Sequence, residues 1–147
     1  KYENRNDDYN SIMVKAIADR LAEAFAELMH QRVRKEWGFP DNINTTNHDL
    51  IKEKYRGIRP AFGYPACPDH SEKEKLFKIL DAESIDMKLT DNYAMTPAAS
   101  VSGLYFSNKN SKYFTVGKIN EKQVSNYASR KHETKNKIKM LLGSNLS

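Results

Sequence analysis

Residues 56–70, with the sequence RGIRPAFGYPACPDH, bring together the side chains of this chain that are most able to do chemistry. Arg59 carries a planar guanidinium, which can hold a carboxylate through two parallel hydrogen bonds. Cys67 and His70 have the spacing of two zinc ligands, or of a thiol close to a base. Because proline fixes φ and restricts the residue before it, the proline-rich segment is predicted to follow one extended, turning path.

Cys67 and His70 do not by themselves define a metal or a catalytic centre. A closed zinc site takes four ligands, usually from two such pairs, and the sequence contains no second pair. A nucleophilic cysteine needs partners that are adjacent in space rather than in sequence. We therefore expect structural roles for both residues, with no metal site and no catalytic residue in this chain.

The chain also lacks the two standard phosphate-binding loops, GxGxxG and GxxxxGK[ST]. Gly63 lies in the proline-rich loop, where glycine would either let the backbone approach a ligand or simply form a turn. Four aromatic residues are expected to pair across a hairpin, so that one of each pair enters the core and the other is exposed. The exposed set would be sheet packing or a stacking face for a base or a cation. These residues are Tyr105, Phe106, Tyr113 and Phe114.

Helical patterns flank the loop on both sides. Apolar residues recur every three or four positions from about residue 8 to residue 37, which predicts one long amphipathic helix ended by Gly38 and Pro40. A short second helix is predicted after Thr46 or Asn47 as its N-cap. A third is predicted after residue 71, where serine and a glutamate three positions later form a capping-box pattern.

The C-terminal half mixes strand and helix signals. The segments SIDMKLT, SVSGLYFSN and KYFTVGKI are short and rich in strand-forming residues, and the last two are joined by NKNS as in an antiparallel hairpin. Asn120 is the predicted cap of a last helix that turns Val124 and Tyr127 inward. Residues 133–147 are expected to be a frayed helix or a disordered tail. The chain is thus predicted to be a single α+β domain over residues 1–147.

Composition limits the possible partners. The chain has 39% hydrophobic and 29% charged residues, with no apolar run long enough to span a membrane and one cysteine, which fits a cytoplasmic protein. The net charge of +5 would suit nucleic acid, but much of the excess lies in RKHETKNKIKM near the C-terminus. A solvated basic surface is the simpler interpretation. We expect neither a nucleic-acid partner nor a membrane.

Four blocks of the sequence resemble the C-terminal activation domain of cobalamin-dependent methionine synthase. The blocks, in the family's order, cover about residues 12 to 131 and read ADRLAEAFAELMHQRVRKEWGF, EKYRGIRPAFGYPACPDHSEK, KLTDNYAMTPAASVSGLYFSN and SKYFTVGKINEKQVSNYASRK. The RPAFGYPACPDH block is the most specific of them. Two departures are Thr96 and Leu104, where relatives often have tryptophan, so packing near the predicted hairpin is expected to differ.

The resemblance implies a function. In that family the domain binds S-adenosylmethionine and passes its methyl group to cobalamin that has been oxidised to cob(II)alamin. Reduced flavodoxin or a flavoprotein reductase supplies the electron, and the transfer traps cob(I)alamin as methylcobalamin. The whole enzyme makes methionine from homocysteine and methyltetrahydrofolate, with cobalamin and zinc held in other modules and the cobalamin-binding module of the same parent chain as partner.

The resemblance also implies that this chain is an excised fragment. The family's domain is about twice as long, and its upstream part supplies another acidic contact to the ligand. The chain begins with Lys1 rather than methionine, in line with this expectation. We therefore expect no turnover from the fragment alone.

The resemblance also implies six candidate residues for binding S-adenosylmethionine. One matches the family's arginine that contacts this ligand, and two lie in the same loop; the others match an aromatic pair after the hairpin turn and an acidic residue on the long helix. A ligand with a carboxylate, an ammonium and a sulfonium suits an arginine, a carboxylate and aromatic surface. The candidates are Arg59, Ala61, Tyr64, Tyr113, Phe114 and Glu23.

Two other functions remain open from the sequence. One is a basic RNA-binding module that uses Tyr105, Tyr113 and the C-terminal lysines, which would show steep salt dependence. The other is a structural domain that docks a second module through the outer face of its long helix.

Overall fold

A computed structural model describes residues 2–147 and confirms the long N-terminal helix. Helix α1 runs over Asp8–Glu36, and its N-cap Asp7 accepts a hydrogen bond from the Asn10 amide. Gly38 follows with φ of +82°, a left-handed conformation that glycine adopts without strain. The helix therefore begins and ends where local capping chemistry predicts.

The apolar stripe of α1 is largely exposed within the described residues. Its buried residues are Ser11, His30 and Arg34, of which none is apolar. By contrast, Ile12 is 67% and Phe25 62% exposed. The apolar residues of α1 do recur with helical spacing, but most of the residues that the described structure buries are polar and lie near the C-terminal end of the helix.

Two further helices follow, with one cap differing from the prediction. Helix α2 (Asn47–Ile51) begins at Thr46, which forms a reciprocal capping box with Asp49. A 3₁₀ turn over His70–Glu72 leads into α3 (Lys73–Leu80). The cap of this 3₁₀ turn is Asp69, whose carboxylate accepts a hydrogen bond from the Ser71 amide. The predicted Ser71 cap is wrong because the turn begins two residues earlier.

The predicted hairpin in residues 100–119 is also wrong. The two-stranded antiparallel sheet is formed by β1 (Lys88–Leu89) and β2 (Met95–Thr96), with Lys88 opposite Thr96. The segment containing Phe106 pairs with residue 58 in the proline-rich loop, through two backbone hydrogen bonds of 2.9 and 3.0 Å. The segment thus pairs with a distant part of the chain instead of forming the predicted hairpin at NKNS.

The C-terminal residues form a packed unit: the segment predicted to be a frayed helix or a disordered tail contains a helix, and this helix is packed rather than frayed. Helix α4 (Glu121–Lys131) has an Asn120 capping box, and α5 (Lys135–Leu141) packs against it. Val124 and Ile138 are fully buried, and Ile119 pairs in parallel with Leu146. A second 3₁₀ turn, Ala82–Ile85, precedes β1, and others lie at Glu3–Arg5 and Gly143–Asn145.

The architecture is therefore α+β, as predicted, with a small antiparallel sheet among helices. Across residues 2–147, none of the helices combines the length and apolar character that crossing a membrane requires.

Candidate functional site

The proline-rich loop is held against residues 103–106 by close backbone contact. Gly57 has φ of +93°, and a Cβ there would collide with the carbonyl oxygen of Phe106. A Cβ on Gly103 would lie 2.7 Å from the Pro60 carbonyl oxygen, beside Ala61. Both glycines therefore permit two chain segments to approach to hydrogen-bonding distance, which fixes the backbone on either side of Arg59.

Arg59 lies at the centre of a polar cluster. Its backbone amide donates to the Tyr113 hydroxyl at 3.1 Å. Its guanidinium is 2.5 Å from a Glu27 carboxylate oxygen and 3.5 Å from a Glu53 carboxylate oxygen, and it also donates to the Tyr55 hydroxyl. Burial opposes the charged form, but Tyr55 and the two carboxylates outweigh burial and raise the pKa of Arg59. The guanidinium is therefore a permanent, oriented cation.

A cavity of about 360 Å³ opens between α1 and the loop, and it contains two of the predicted residues. Glu23 enters it from α1, and Tyr64 from the loop, with residues 98–101 on another side. The Glu23 carboxylate is 3.3 Å from the Arg20 guanidinium, and both side chains are mostly exposed. The volume falls within the usual range for a small-molecule pocket.

The six predicted residues thus fall into two pairs and two single positions. Arg59 contacts Tyr113, whereas Glu23 and Tyr64 share the cavity. Ala61 packs beside Gly103. Phe114 is 62% exposed and projects from the surface. Within residues 2–147, Arg59 is not part of the cavity lining that contains Glu23.

Sequence reasoning did not single out Glu27, whose carboxylate pairs with Arg59, or the buried His30. Glu27 follows Glu23 by one helical turn, a spacing that places both on one side of α1. His30 is fully buried and stacks on the Tyr105 ring, with centroids 4.7 Å apart. Burial, then Arg34 and Arg59, lower the pKa of His30 to about 4, so its ring is neutral.

Arg34 extends this buried network to the loop after α1. Its side chain is fully buried and binds Asp41 through two hydrogen bonds of 2.8 and 2.6 Å. The guanidinium also lies 3.8 Å from the centroid of the Tyr55 ring. Buried arginines of this kind are hard to foresee, because charge on a helix usually indicates a solvated face.

The Cys67–His70 region has a packing role. Burial raises the pKa of Cys67, which makes its thiol a poorer nucleophile at neutral pH. His70 accepts a 2.9 Å contact from Lys73, and its ring occupies the space that a Cβ on Gly63 would need. Gly63 thus makes room for a histidine ring. In residues 2–147, no group of three or more His, Cys, Asp or Glu side chains is placed to hold a metal ion.

Asp69 ties the end of the loop to α4. One carboxylate oxygen accepts from the Ser71 amide at 2.8 Å and from its hydroxyl at 2.6 Å. The other accepts from the Tyr127 hydroxyl at 2.7 Å and from Lys131 at 2.8 Å. Lys131 also pairs with Glu72. We call these five residues the Asp69 cluster.

Comparison with known proteins identifies the family of this chain. The family model of the vitamin B12 dependent methionine synthase activation domain matches residues 1–132. The chain is also similar to a solved structure described as the crystal structure of the MetH reactivation domain bound to AdoHcy, with 53% identity and a TM-score of 0.95. That match covers 99% of this chain and 46% of the other, so this chain spans less than half of its length. The chain belongs to the family of vitamin B12 dependent methionine synthase activation domains.

Proposed function

We propose that this domain binds S-adenosylmethionine and presents its methyl group for the reductive reactivation of cob(II)alamin in a cobalamin-dependent methionine synthase. The relative with 53% identity was crystallised with AdoHcy, which lacks only the transferable methyl group of S-adenosylmethionine. The observation that carries the proposal is the cavity shared by Glu23 and Tyr64, beside the loop that carries Arg59.

The chemistry of the cavity matches a cationic ligand. Asp19 and Glu23 line it together with one guanidinium, that of Arg20, so carboxylates are in excess. S-adenosylmethionine carries a sulfonium and an ammonium against one carboxylate, and this net positive charge suits such a site. Tyr64 offers an aromatic face near the cation.

Arg59 is the proposed partner of the ligand carboxylate. Guanidinium has five N–H donors, and the contacts to Glu27, Glu53 and Tyr55 use only part of them. These contacts also fix the orientation of the guanidinium. Its remaining N–H donors can therefore bind a ligand carboxylate without the entropy cost of ordering the side chain. The contact of the Arg59 amide with Tyr113 holds the backbone in the same way.

The residues of this chain need only bind and align. Methyl transfer is an in-line displacement at the methyl carbon, in which the reduced cobalt of cobalamin would supply the nucleophile. No proton is transferred, so no general base is required. We propose the cobalamin-binding module of the same parent chain as the partner, with zinc in a further module, and reduced flavodoxin or a flavoprotein reductase as the electron donor in the cytoplasm.

Calorimetric titration tests the proposal with matched arginine variants. Arg59→Ala should weaken binding of S-adenosylmethionine and AdoHcy about tenfold to a hundredfold, since a charge-assisted hydrogen bond is lost. Arg32→Ala is the control, because Arg32 forms an exposed pair with Glu36 on α1. Arg59→Lys keeps the charge that neutralises Glu27 and should still lose affinity, because lysine cannot form two parallel bonds.

The titration also gives clear contrary results. Equal affinity of the wild-type and Arg59→Ala chains would remove Arg59 from the site. Failure of the folded wild-type chain to take up either ligand at millimolar concentration would contradict ligand binding by this part of the domain.

A further inference from the structure

A second and larger cavity, of about 670 Å³, lies between the proline-rich loop and the C-terminal helices. Its lining has no residue in common with the cavity that contains Glu23 and Tyr64. The floor is apolar and is formed largely by Phe62, Val116, Ile119 and Leu142. A space of this size with an apolar floor is typical of a site for a small organic molecule.

Two cations stand at the rim of this cavity without a carboxylate partner. Lys122 and Arg130 both line it from α4. Among residues 2–147, neither side chain forms a salt bridge, although Arg130 donates to the Asn126 amide oxygen at 3.0 Å. They are two helical turns apart on one face of α4, or about 12 Å along its axis.

The acidic groups around the cavity are already neutralised. Asp69 and Glu72, which line it, both pair with Lys131, and Glu72 also pairs with Lys75 at 2.9 Å, so that two lysines balance the two carboxylates. Elsewhere in the C-terminal unit, Glu121 pairs with Lys139 at 2.5 Å and Glu133 with Lys137 at 2.6 Å. Among the described residues of the C-terminal unit, Lys118, Lys122, Arg130 and Lys135 form no salt bridge, and two of these four, Lys122 and Arg130, line this cavity.

We propose that this cavity is a second ligand site, which binds a small aromatic carboxylate. The flat apolar body lies on the floor formed by Val116, Ile119 and Leu142, where water is displaced. The carboxylate reaches the rim, where Arg130 or Lys122 pairs with it. The site is independent of S-adenosylmethionine binding, since it uses neither Arg59 nor Glu23.

A titration with 2-naphthoate, followed by two-dimensional amide NMR, tests the site on the intact chain. Saturable shifts should appear at Val116, Ile119 and Leu142, and at the side-chain amide of Asn126. The neutral analogue 2-naphthamide has the same apolar body and should bind at least fivefold more weakly, because it lacks the charge that Lys122 and Arg130 recognise. Equal binding of the two compounds would overturn the assignment of an anion site.

Matched variants distinguish specific binding in this cavity from non-specific attraction of an anion to a basic protein. The double variant Lys122→Ala/Arg130→Ala should weaken 2-naphthoate about tenfold, at two- to fivefold for each partly exposed cation. The control Lys52→Ala/Arg5→Ala makes the same change in net charge at residues that do not line the cavity, and it should leave the affinity for 2-naphthoate unchanged. An equal loss in both double variants would show non-specific electrostatics and refute the site.

Filling the cavity gives a test that does not depend on charge. Val116 is 39% exposed, so Val116→Trp can be accommodated without disturbing the buried core. This variant should keep its melting temperature and lose 2-naphthoate binding, while its affinity for S-adenosylmethionine stays that of the wild type. Retained 2-naphthoate binding in a folded Val116→Trp chain would place the ligand elsewhere and overturn the proposal.

Discussion

Replacing Asp69 by asparagine tests how firmly the proline-rich loop is fastened to α4. The Asp69 carboxylate is 7% exposed and accepts four hydrogen bonds, two from Ser71 and one each from Tyr127 and Lys131. Asp69→Asn keeps the shape but removes the charge. One of its oxygens becomes an NH₂ group, which cannot accept from a hydroxyl or an ammonium.

The expected loss of stability follows from the burial of Lys131. Its side chain is 10% exposed, and removing one partner of a buried pair costs about 3–5 kcal/mol. Because Lys131 keeps its contact with Glu72, we expect the lower end, about 3 kcal/mol. For a chain of this size, that loss lowers the melting temperature by about 6–12 °C.

Urea and thermal unfolding followed by circular dichroism measure the loss. Glu133→Gln is the control, since Glu133 forms an i,i+4 pair with Lys137, which is 47% exposed, and should cost less than about 0.5 kcal/mol. The double variant Asp69→Asn/Lys131→Met should recover part of the loss, because it removes the buried ammonium that has lost one of its two carboxylate partners. A loss for Asp69→Asn as small as that of the control would refute the reasoning.

The same variant predicts a dependence on pH. Burial raises the pKa of Asp69, but hydrogen bonds from Lys131, Ser71 and Tyr127 outweigh burial and bring it below the usual value. A carboxyl group with a depressed folded-state pKa stabilises the fold above its unfolded pKa of about 3.9, and this contribution is lost as pH falls through the folded value. The stability difference between wild type and Asp69→Asn should therefore be constant near pH 7 and shrink in acid.

Two further predictions concern packing and the backbone. Ile138→Ala should cost about 2–5 kcal/mol in urea unfolding, since Ile138 is fully buried, whereas Met140→Ala, at an 84% exposed position, should cost little. Equal small losses would mean that the C-terminal helix is not part of the core. Gly57→Ala should be more destabilising than Gly38→Ala, because both have positive φ but only the first would meet a backbone oxygen, that of Phe106. Equal losses of stability in the two glycine variants would show that the positive φ alone, and not the contact with the Phe106 oxygen, causes the destabilisation.

Helix positions could be predicted from the sequence because their determinants are local. Thr46 and Asn120 cap their helices through residues three positions away, and Gly38 ends α1 one residue after its C-cap. From the sequence, the C-terminal helix is predicted only as a frayed helix or a disordered tail, although Ile138, Leu141 and Leu142 have helical spacing. Because the segment also contains several lysines, its composition is typical of a solvent-exposed tail.

Strand pairing and site electrostatics could not be predicted in the same way. The segment around Phe106 has the composition of a strand, but its partner is Ile58 in the loop, which no periodicity indicates. The resemblance to a family picked out Arg59 and Tyr113, which the structure places in contact. The pairing of Arg59 with Glu27 depends on how α1 crosses the loop, and sequence spacing contains no information on that crossing.

The uneven burial of α1 determines how this helix opens. Between Ser11 and His30 none of its described residues is buried. Near its end, by contrast, Glu27 pairs with Arg59 of the proline-rich loop, His30 stacks on Tyr105 and Arg34 pairs with Asp41. Helices in proteins owe most of their stability to tertiary packing rather than to intrinsic propensity. Amide protons in the first turns of α1 should therefore exchange with solvent through local fraying, while those near Arg34 should exchange only when the whole domain unfolds.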